Sequence, residues 1–353
     1  MRVVFGAGAL SVVPDEVARL GGERVLLIGD RAAKTYTDHL AASLGTRLVA
    51  RVDDVVMHVP ADAAASATAK ATASGADLLV CLGGGSATGL AKVVARAASV
   101  PILAVPTTYA GSEMTPIWGL TEGSRKITGR DARVLPRTAV YDPALTVGLP
   151  VDVSAASGMN ALAHCVEGLY SSAASPVTAV LAEDGIRTLS DALPRVVANP
   201  ADIDARGDAL YGAWLAGWVL GTSGMGIHHK VCHVLGGAYD LPHAEIHSAV
   251  LPHATAYNAP FAAAAMTRAA RALGTDDPAG GLWDLAVTIG APTSLRSVGF
   301  RRADAGDVAA IVASAAPDNP RPVTTEWVQE LLLAAYDGRR PDTTTMFDQE
   351  GTT

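Results

Sequence analysis

Residues 77–92 read DLLVCLGGGSATGLAK, an apolar run that ends in three glycines and continues as an Ala-rich helical segment. Glycines at such a turn let the backbone approach a ligand closely, and the N-terminus of a helix offers free N–H groups to an anion. The pattern therefore predicts a phosphate-binding loop formed by Gly83, Gly84, Gly85 and Ser86. A tight turn without a ligand is the alternative, although three successive glycines exceed what a turn requires.

Short apolar runs alternate with helical segments on both sides of this stretch. The predicted strands are Arg24–Gly29, Thr46–Val52, Asp77–Leu82 and Pro101–Val105, and helices are expected at residues 32–44, 61–74 and 87–98. Such alternation is typical of βαβ units, which form a parallel sheet covered by helices on both faces. We expect residues 1–150 to form an α/β dinucleotide-binding domain with a Rossmann-like parallel sheet.

The pattern changes near residue 150, and helical periodicity dominates from there onward. The predicted helices cover residues 154–171, 177–197, 208–220, 225–236, 258–273, 281–289, 304–315 and 325–336. We therefore predict that residues 151–353 form an all-α C-terminal domain that carries most of the histidines.

The composition excludes several classes of protein. The net charge of −8 provides no general attraction to nucleic acid or to an anionic membrane. The 3 cysteines are too few for a disulfide framework and suit a reducing compartment. No stretch approaches the roughly 20 uninterrupted apolar residues that a membrane span requires. We expect a cytoplasmic protein.

Polar side chains follow two of the predicted strands. Asp30 ends the first of them, where an acid can bind the ribose of an adenosine. In that role its carboxylate would repel a 2′-phosphate and favour NADH over NADPH, but an N-cap of the following helix explains it equally well. Thr107 and Thr108 follow residues 101–105, and their hydroxyls can bind a phosphate or ribose at the carboxyl edge of the sheet. A polar loop is the alternative for both threonines.

Most of the 9 histidines fall in one region of the second half, and His164 lies upstream of it. A spacing of four residues places His229 and His233 on one helix face, and Asn160 and His164 share a face in the same way. We predict that a set of these side chains converges on one site between the two domains: Asn160, His164, His229 and His243. The remaining histidines of the region are interpreted as buried core or capping residues: His228, His247 and His253.

Five segments together resemble the iron-containing alcohol dehydrogenase superfamily, and within it the maleylacetate reductase branch. They are Gly83–Lys92 (GGGSATGLAK), Pro106–Gly119 (PTTYAGSEMTPIWG), Asp142–Pro150 (DPALTVGLP), Ser157–Glu167 (SGMNALAHCVE) and His229–His243 (HKVCHVLGGAYDLPH). The resemblance extends from the first domain well into the second. It implies the dehydroquinate synthase-like fold of that superfamily, a homodimer, and NADH or NADPH as cofactor.

The resemblance also implies which residues bind the cofactor and which surround a metal. The implied cofactor-binding residues are Asp30, Gly83, Gly84, Gly85, Ser86, Lys92, Thr107, Thr108 and Ser112. Metal-dependent members bind their metal through an aspartate and three histidines. The resemblance implies that His164, His229 and His243 correspond to the three histidines, but this chain has Asn160 in place of the aspartate. A neutral amide is a poor ligand for a transition metal. This departure is typical of the maleylacetate reductase branch, and it implies a vestigial site and an enzyme that requires no metal.

The reaction implied by the resemblance is reduction of the C=C bond of maleylacetate to give 3-oxoadipate. Hydride from NAD(P)H would add to the alkene carbon β to the ketone, and negative charge would move onto the ketone oxygen as an enolate. An enolate calls for hydrogen-bond donors and a proton donor, which are roles that histidines can fill. The candidate catalytic residues are His164, His229, His233 and His243, and either His243 or His233 is a candidate proton donor.

The substrate has two carboxylates, so cationic and hydrogen-bonding partners are expected. The leading candidates are Lys230, Tyr109 and Asn160, and further candidates are Thr115, Arg125, Lys126 and Arg130. A solvated helix face is the alternative for Lys230. Two other functions stay open at this point: a metal-dependent alcohol or polyol dehydrogenase of the same superfamily, and a catalytically silent nucleotide-binding protein.

Overall fold

The structure, a computed structural model, describes residues 1–57, 59–123 and 125–341, without the side chains of Arg125 and Lys126. The substrate contacts predicted for those two side chains therefore lie outside the described residues. The chain divides into two compact units. The first comprises Met1–Leu149 and Pro200–Leu210, and the second comprises Pro150–Asn199 and the described residues from Tyr211 to Pro341.

The first unit is an α/β structure. Its strands are β1 (Arg2–Phe5), β2 (Val25–Gly29), β3 (Leu48–Val52), β4 (Leu78–Gly83), β5 (Ile102–Pro106), β6 (Ile117–Glu122), β7 (Arg125–Arg130) and β8 (Thr138–Tyr141). Its helices are α1 (Val13–Arg19), α2 (Lys34–Leu44), α3 (Ala61–Ser74) and α4 (Gly85–Ala98). Six strands pair in parallel in the order β1-β8-β5-β4-β2-β3, and β6 and β7 form an antiparallel hairpin. The predicted α/β fold class is confirmed.

Two strands of the sheet and the hairpin were not expected from the sequence. β1 and β8 have only 4 residues each, and none of the residues of β1 is fully buried. The residues of β6 are half-buried or exposed along the whole strand. β1 and β6 therefore lack the buried apolar run that identifies a central strand of a parallel sheet, whereas β8 is buried throughout but contributes only 4 residues.

The second unit is helical, as predicted. Its helices are α5 (Val151–Tyr170), α6 (Pro176–Ala198), α7 (Ile203–Thr222), α8 (Ile227–Ala238), α9 (His243–Asn258), α10 (Ala263–Leu273), α11 (Pro278–Thr288), α12 (Ala305–Ser314) and α13 (Thr325–Asp337). The first part of α7 belongs to the first unit. Sequence periodicity did not indicate α9, because every residue from Ile246 to Asn258 is buried and a helix that is buried on all sides has no amphipathic period.

The core of the first unit positions the loops at one edge of the sheet. Alternate residues of the central strands pack on opposite faces, so that Leu27 and Val80 enter one cluster while Ile28 and Cys81 enter the other. Gly29 pairs with Leu82, and Gly83 pairs with Pro106. The carboxyl ends of β2, β4 and β5 therefore lie side by side, where open α/β sheets bind ligands.

Candidate functional site

The glycine loop joins β4 to α4 and requires its first glycine. Gly83 has φ +154°, and a Cβ built there would lie 2.5 Å from Asp30 Oδ2 and 2.8 Å from the Cβ of Ala87. Gly84 is the N-cap of α4, and no side chain in the described ranges caps the first turn of this helix. The first N–H groups of α4 are therefore available to an anion, which is the arrangement used to bind phosphate groups at helix N-termini.

Asp30 holds this loop in place. One of its carboxylate oxygens accepts a hydrogen bond of 2.8 Å from the N–H of Ala33, and the other accepts one of 3.0 Å from the N–H of Gly84. The first bond is the helix cap that the sequence left open as an alternative. The second bond connects the end of β2 to the glycine loop, and binding of a ribose by Asp30 stays a prediction.

The threonine loop packs against the glycine loop. The N–H of Thr107 donates to the carbonyl of Gly83 at 3.0 Å. A Cβ at Gly84 would meet the side chain of Thr108 at 3.0 Å. Thr107 is buried and Thr108 is partly exposed. The structure thus brings together the glycines, Asp30 and the two threonines that were predicted to bind the cofactor.

Lys92 was predicted to bind the cofactor, and its side chain is hydrogen-bonded to protein groups in the structure. It is fully buried, and its Nζ donates to the carbonyls of Ser112 and Ile117 at 2.5 and 2.8 Å and to Thr115 Oγ1 at 2.8 Å. A direct contact of the ammonium with the nucleotide would have to replace one of these bonds. Lys92 therefore braces the loop that carries Ser112, and burial lowers its pKa to about 7.

Glu113 is a buried carboxyl that sequence reasoning missed. It accepts a hydrogen bond of 2.8 Å from the hydroxyl of Tyr141, and burial raises the pKa of Glu113. Lys92 is near enough to oppose that rise. The only signal in the sequence was an acid inside the threonine-loop motif, and no local pattern tells such an acid from an exposed one.

Tyr109, a candidate for binding a substrate carboxylate, is enclosed by the protein. It is fully buried, and its hydroxyl accepts a hydrogen bond of 3.2 Å from Nη1 of Arg206. Arg206 is itself fully buried and also donates to the carbonyls of Leu149 and Pro200. Tyr109 thus has no exposed surface for a substrate in this structure. Its contact with Arg206 is one of the bonds that hold residues 200–210 within the first unit.

Six histidines of the second unit form one cluster: His164, His228, His229, His233, His243 and His247. His164 and His229 stack with their ring centroids 5.1 Å apart, and His229 lies 6.1 Å from His233. His233 stacks with His243 at 6.4 Å, and His243 contacts His247 at 4.4 Å. All four predicted catalytic histidines therefore lie within one cluster. Its members are carried by α5, α8 and α9.

The members of the cluster differ in accessibility. Asn160, His164 and His229 are buried, whereas His233 and His243 are partly exposed. Burial, together with the neighbouring His229 and His243, lowers the pKa of His164 well below its usual range. That imidazole is therefore neutral and retains a lone pair. Asn160 Oδ1, His164 Nδ1 and His229 Nε2 have no hydrogen-bond partner in the described part of the chain.

Glu167 is the second buried carboxyl that sequence reasoning missed. One of its oxygens contacts Nδ1 of His229, and the other accepts from the N–H of His228 at 2.9 Å and from the hydroxyl of Tyr170 at 3.1 Å. The sequence did place Glu167 three residues after His164, so the two share a helix face. Its contact with α8 depends on tertiary structure.

His228 and His247 form a fully buried pair within the cluster. Nε2 of His228 and Nδ1 of His247 are hydrogen-bonded at 2.8 Å. Together with Cys232 they place possible metal-ligating atoms within 4.8 Å of one another. The direct bond between the two rings satisfies these nitrogens without a cation. His253 is also buried, and burial lowers its pKa to about 4.

Lys230 lies on α8 next to His229, and its side chain is partly exposed. Arg130 lies at the end of β7 in the first unit, and Thr115 is buried against Lys92. Among the candidates for binding the substrate carboxylates, Lys230 on α8 and Asn160 on α5 lie on helices that carry the clustered histidines.

Two family models match this chain, one over its α/β part and one over its helical part. The family model described as "Iron-containing alcohol dehydrogenase" matches residues 1–143, and the model described as "Fe-containing alcohol dehydrogenase family, C-terminal" matches residues 154–336. Maleylacetate reductase of Burkholderia cepacia is 50% identical over 96% of this chain and 97% of its own length.

Solved structures give the same result. Maleylacetate reductase from Agrobacterium tumefaciens superposes with a TM-score of 0.92 at 42% identity, over 96% of this chain and 97% of that one. A 1,3-propanediol oxidoreductase superposes with a TM-score of 0.90 at 29% identity, over 95% of this chain and 98% of that one.

These matches overturn the expectation that no metal is required. Both halves of the chain match models of a family described as iron-containing. The donors present fit a divalent cation, because His164 and His229 provide buried imidazole nitrogens without partners and imidazole suits iron. The expectation gave too much weight to Asn160, since three histidines can hold a cation without a carboxylate.

Proposed function

Because the chain belongs to the iron-containing alcohol dehydrogenase family, we propose that it acts as a maleylacetate reductase and reduces the C=C bond of maleylacetate to give 3-oxoadipate. The observation that carries this proposal is the 50% identity to the Burkholderia cepacia enzyme across nearly the full length of both chains. Asn160 also supports the maleylacetate reductase branch. The metal-dependent alcohol dehydrogenases that the chain resembles have an aspartate at this position.

The reaction transfers two electrons and two hydrogens to the alkene. NAD(P)H donates hydride to the alkene carbon β to the ketone, and the π electrons of the C=C bond move to form the enolate. A proton added at the α-carbon then gives 3-oxoadipate and NAD(P)⁺. Among the clustered histidines, His233 and His243 have accessible surface. Because the imidazole of His243 would hold the iron, His233 is the one that can touch the substrate and donate that proton.

The nucleotide would be bound by the first unit. The N–H groups at the start of α4 suit its pyrophosphate, and Ser86 adds a hydroxyl in the first turn. Thr107 and Thr108 follow the neighbouring strand at the same edge of the sheet. Asp30 and Lys92 stabilise these loops. The carboxylate of Asp30 accepts a hydrogen bond from the backbone of the glycine loop, and Nζ of Lys92 donates to a backbone carbonyl of the threonine loop.

The iron would be held by His164, His229 and His243, with Asn160 beside them. When bound there, it supplies Lewis-acid polarisation of the ketone carbonyl. The burial that lowers the pKa of His164 keeps that imidazole neutral, so that its lone pair is available to the iron. Lys230 is proposed to bind a carboxylate of the substrate, because it is a cation on the helix that carries His229 and His233.

We further propose that the protein is a cytoplasmic homodimer. In the part of the chain that the structure describes, no helix is long and apolar enough to span a membrane. Dimer formation would be tested by light scattering of the purified protein.

Oxidation of NADH and NADPH in the presence of maleylacetate tests the proposed function. We expect rapid loss of reduced nicotinamide and formation of 3-oxoadipate, and slow or no reduction of simple aldehydes and ketones. Reduction of carbonyl compounds with no turnover of maleylacetate would favour a metal-dependent alcohol dehydrogenase. Nucleotide binding without turnover of any of these substrates would favour a silent nucleotide-binding protein.

A further inference from the structure

Glu167 occupies a buried position at which three donors meet one carboxylate. It lies on α5 and is 1% exposed. Its Oε1 accepts from the N–H of His228 and from the hydroxyl of Tyr170, and its Oε2 contacts Nδ1 of His229. A carboxylate can only accept hydrogen bonds, so Nδ1 of His229 must carry the proton. The lone pair of the ring then lies on Nε2.

Nε2 of His229 is the atom that this arrangement leaves free. His229 is 3% exposed, and Nε2 has no hydrogen-bond partner in the described structure. The ring stacks on His164. Among the described residues, His164 Nδ1 and Asn160 Oδ1, both on α5, likewise have no hydrogen-bond partner. A buried lone pair without a partner is costly unless a ligand uses it.

We propose that Glu167 is a positioning residue that sets the tautomer of His229, so that Nε2 presents its lone pair to a cation held with His164. The inference rests on the proposed function only through that cation and is independent of the substrate. Carboxylates that orient metal-binding histidines in this way raise the basicity of the ligand and fix the ring.

Glu167→Gln separates this role from a structural one. The backbone N–H of His228 can only donate, so the glutamine carbonyl must take the position of Oε1, where it also keeps the bond from Tyr170. The amide NH₂ then faces Nδ1 of His229 and can only donate to it. His229 must move its proton to Nε2, and a protonated Nε2 cannot bind a cation. The anchor of α8 is kept, while the tautomer of His229 is reversed.

The affinity for Zn²⁺ and for Fe²⁺, each added alone to the metal-free protein in competition with a chelator, is the first measurement. We expect Glu167→Gln to lower it about 10- to 100-fold. Glu167→Asp keeps the acceptors and should retain most of the affinity. Tyr170→Phe removes the third donor without touching His229 and should bind as the native protein does. Thermal unfolding checks that each variant is folded.

The protonation of His229 in the metal-free protein is the second measurement, by ¹⁵N NMR of labelled histidine. We expect the proton on Nδ1 in the native protein and in Glu167→Asp, and on Nε2 in Glu167→Gln. Native cation affinity in Glu167→Gln, an unchanged tautomer, or absence of cation binding in the native protein would each overturn the inference. Failure to reduce maleylacetate with these results intact would instead sink the proposed function, because neither measurement involves turnover.

Discussion

Replacement of Gly83 by alanine is expected to weaken nucleotide binding strongly. Gly83 has φ +154°, a conformation that residues with a side chain rarely adopt, and a Cβ there would lie 2.5 Å from Asp30 Oδ2 and 2.8 Å from the Cβ of Ala87. Neither neighbour yields easily. The carboxylate of Asp30 is held by two backbone N–H groups, and Ala87 lies in the first turn of α4.

The size of the effect follows from the strain. A residue held in a sparsely populated backbone conformation costs about 1–3 kcal/mol. If the loop of the variant moves to relieve that strain, NADH binding must restore the native loop conformation at the same cost. Since about 1.4 kcal/mol corresponds to a factor of ten in affinity, the affinity for NADH falls about 5- to 150-fold. The loss should appear in the dissociation constant of NADH, measured by quenching of protein fluorescence.

Gly148→Ala is the matched control for Gly83→Ala. Gly148 is exposed, and no atom of the described residues lies within 4 Å of a Cβ built there, so this variant should bind NADH as the native protein does. Thermal unfolding of both variants shows whether they are folded. If folded Gly83→Ala bound NADH as tightly as Gly148→Ala, the glycine loop would not be the nucleotide site.

Four further outcomes are expected. Asp30→Ala should raise the KM for NADH and NADPH alike, because the carboxylate holds the N–H of Gly84; a change confined to one nucleotide would show that Asp30 binds the ribose instead. Treatment with a chelator should lower the reductase activity and added Fe²⁺ should restore it, whereas full activity in a protein shown to be free of metal would contradict the assignment of iron. His243→Ala should lower kcat more than about 10-fold, because it removes an imidazole proposed to hold the iron, and a near-native kcat would remove His243 from the site. Burial lowers the pKa of Lys92 from 10.5 to about 7, so between these values the unfolded chain binds more protons than the native protein, and native stability rises with pH across that window. Lys92→Met should flatten the rise in urea midpoints over that window, and an unchanged slope would show that Lys92 keeps its proton when buried.

The sequence was sufficient for features that are encoded over short distances. The apolar run before Gly83 and the helix after it identified a βα turn, and β2, β3, β4 and β5 all overlap the predicted strands. The same holds for most helices of the second unit. Periodicity and turn glycines act within about twenty residues, so they can be interpreted without knowing the fold. The spacing of the histidines likewise indicated that several would share one site.

The tertiary structure alone decided the partners of the buried polar groups. His229 and Glu167 are 62 residues apart in the chain, and Asp30 and Gly84 are 54 apart. Lys92 resembled a cofactor-binding residue in its motif, yet its buried ammonium binds the loop of Ser112. A buried charge or lone pair must find a partner wherever the fold supplies one. The sequence determined which residues could bind ligands, and packing between distant segments decided which of their atoms remain free to do so.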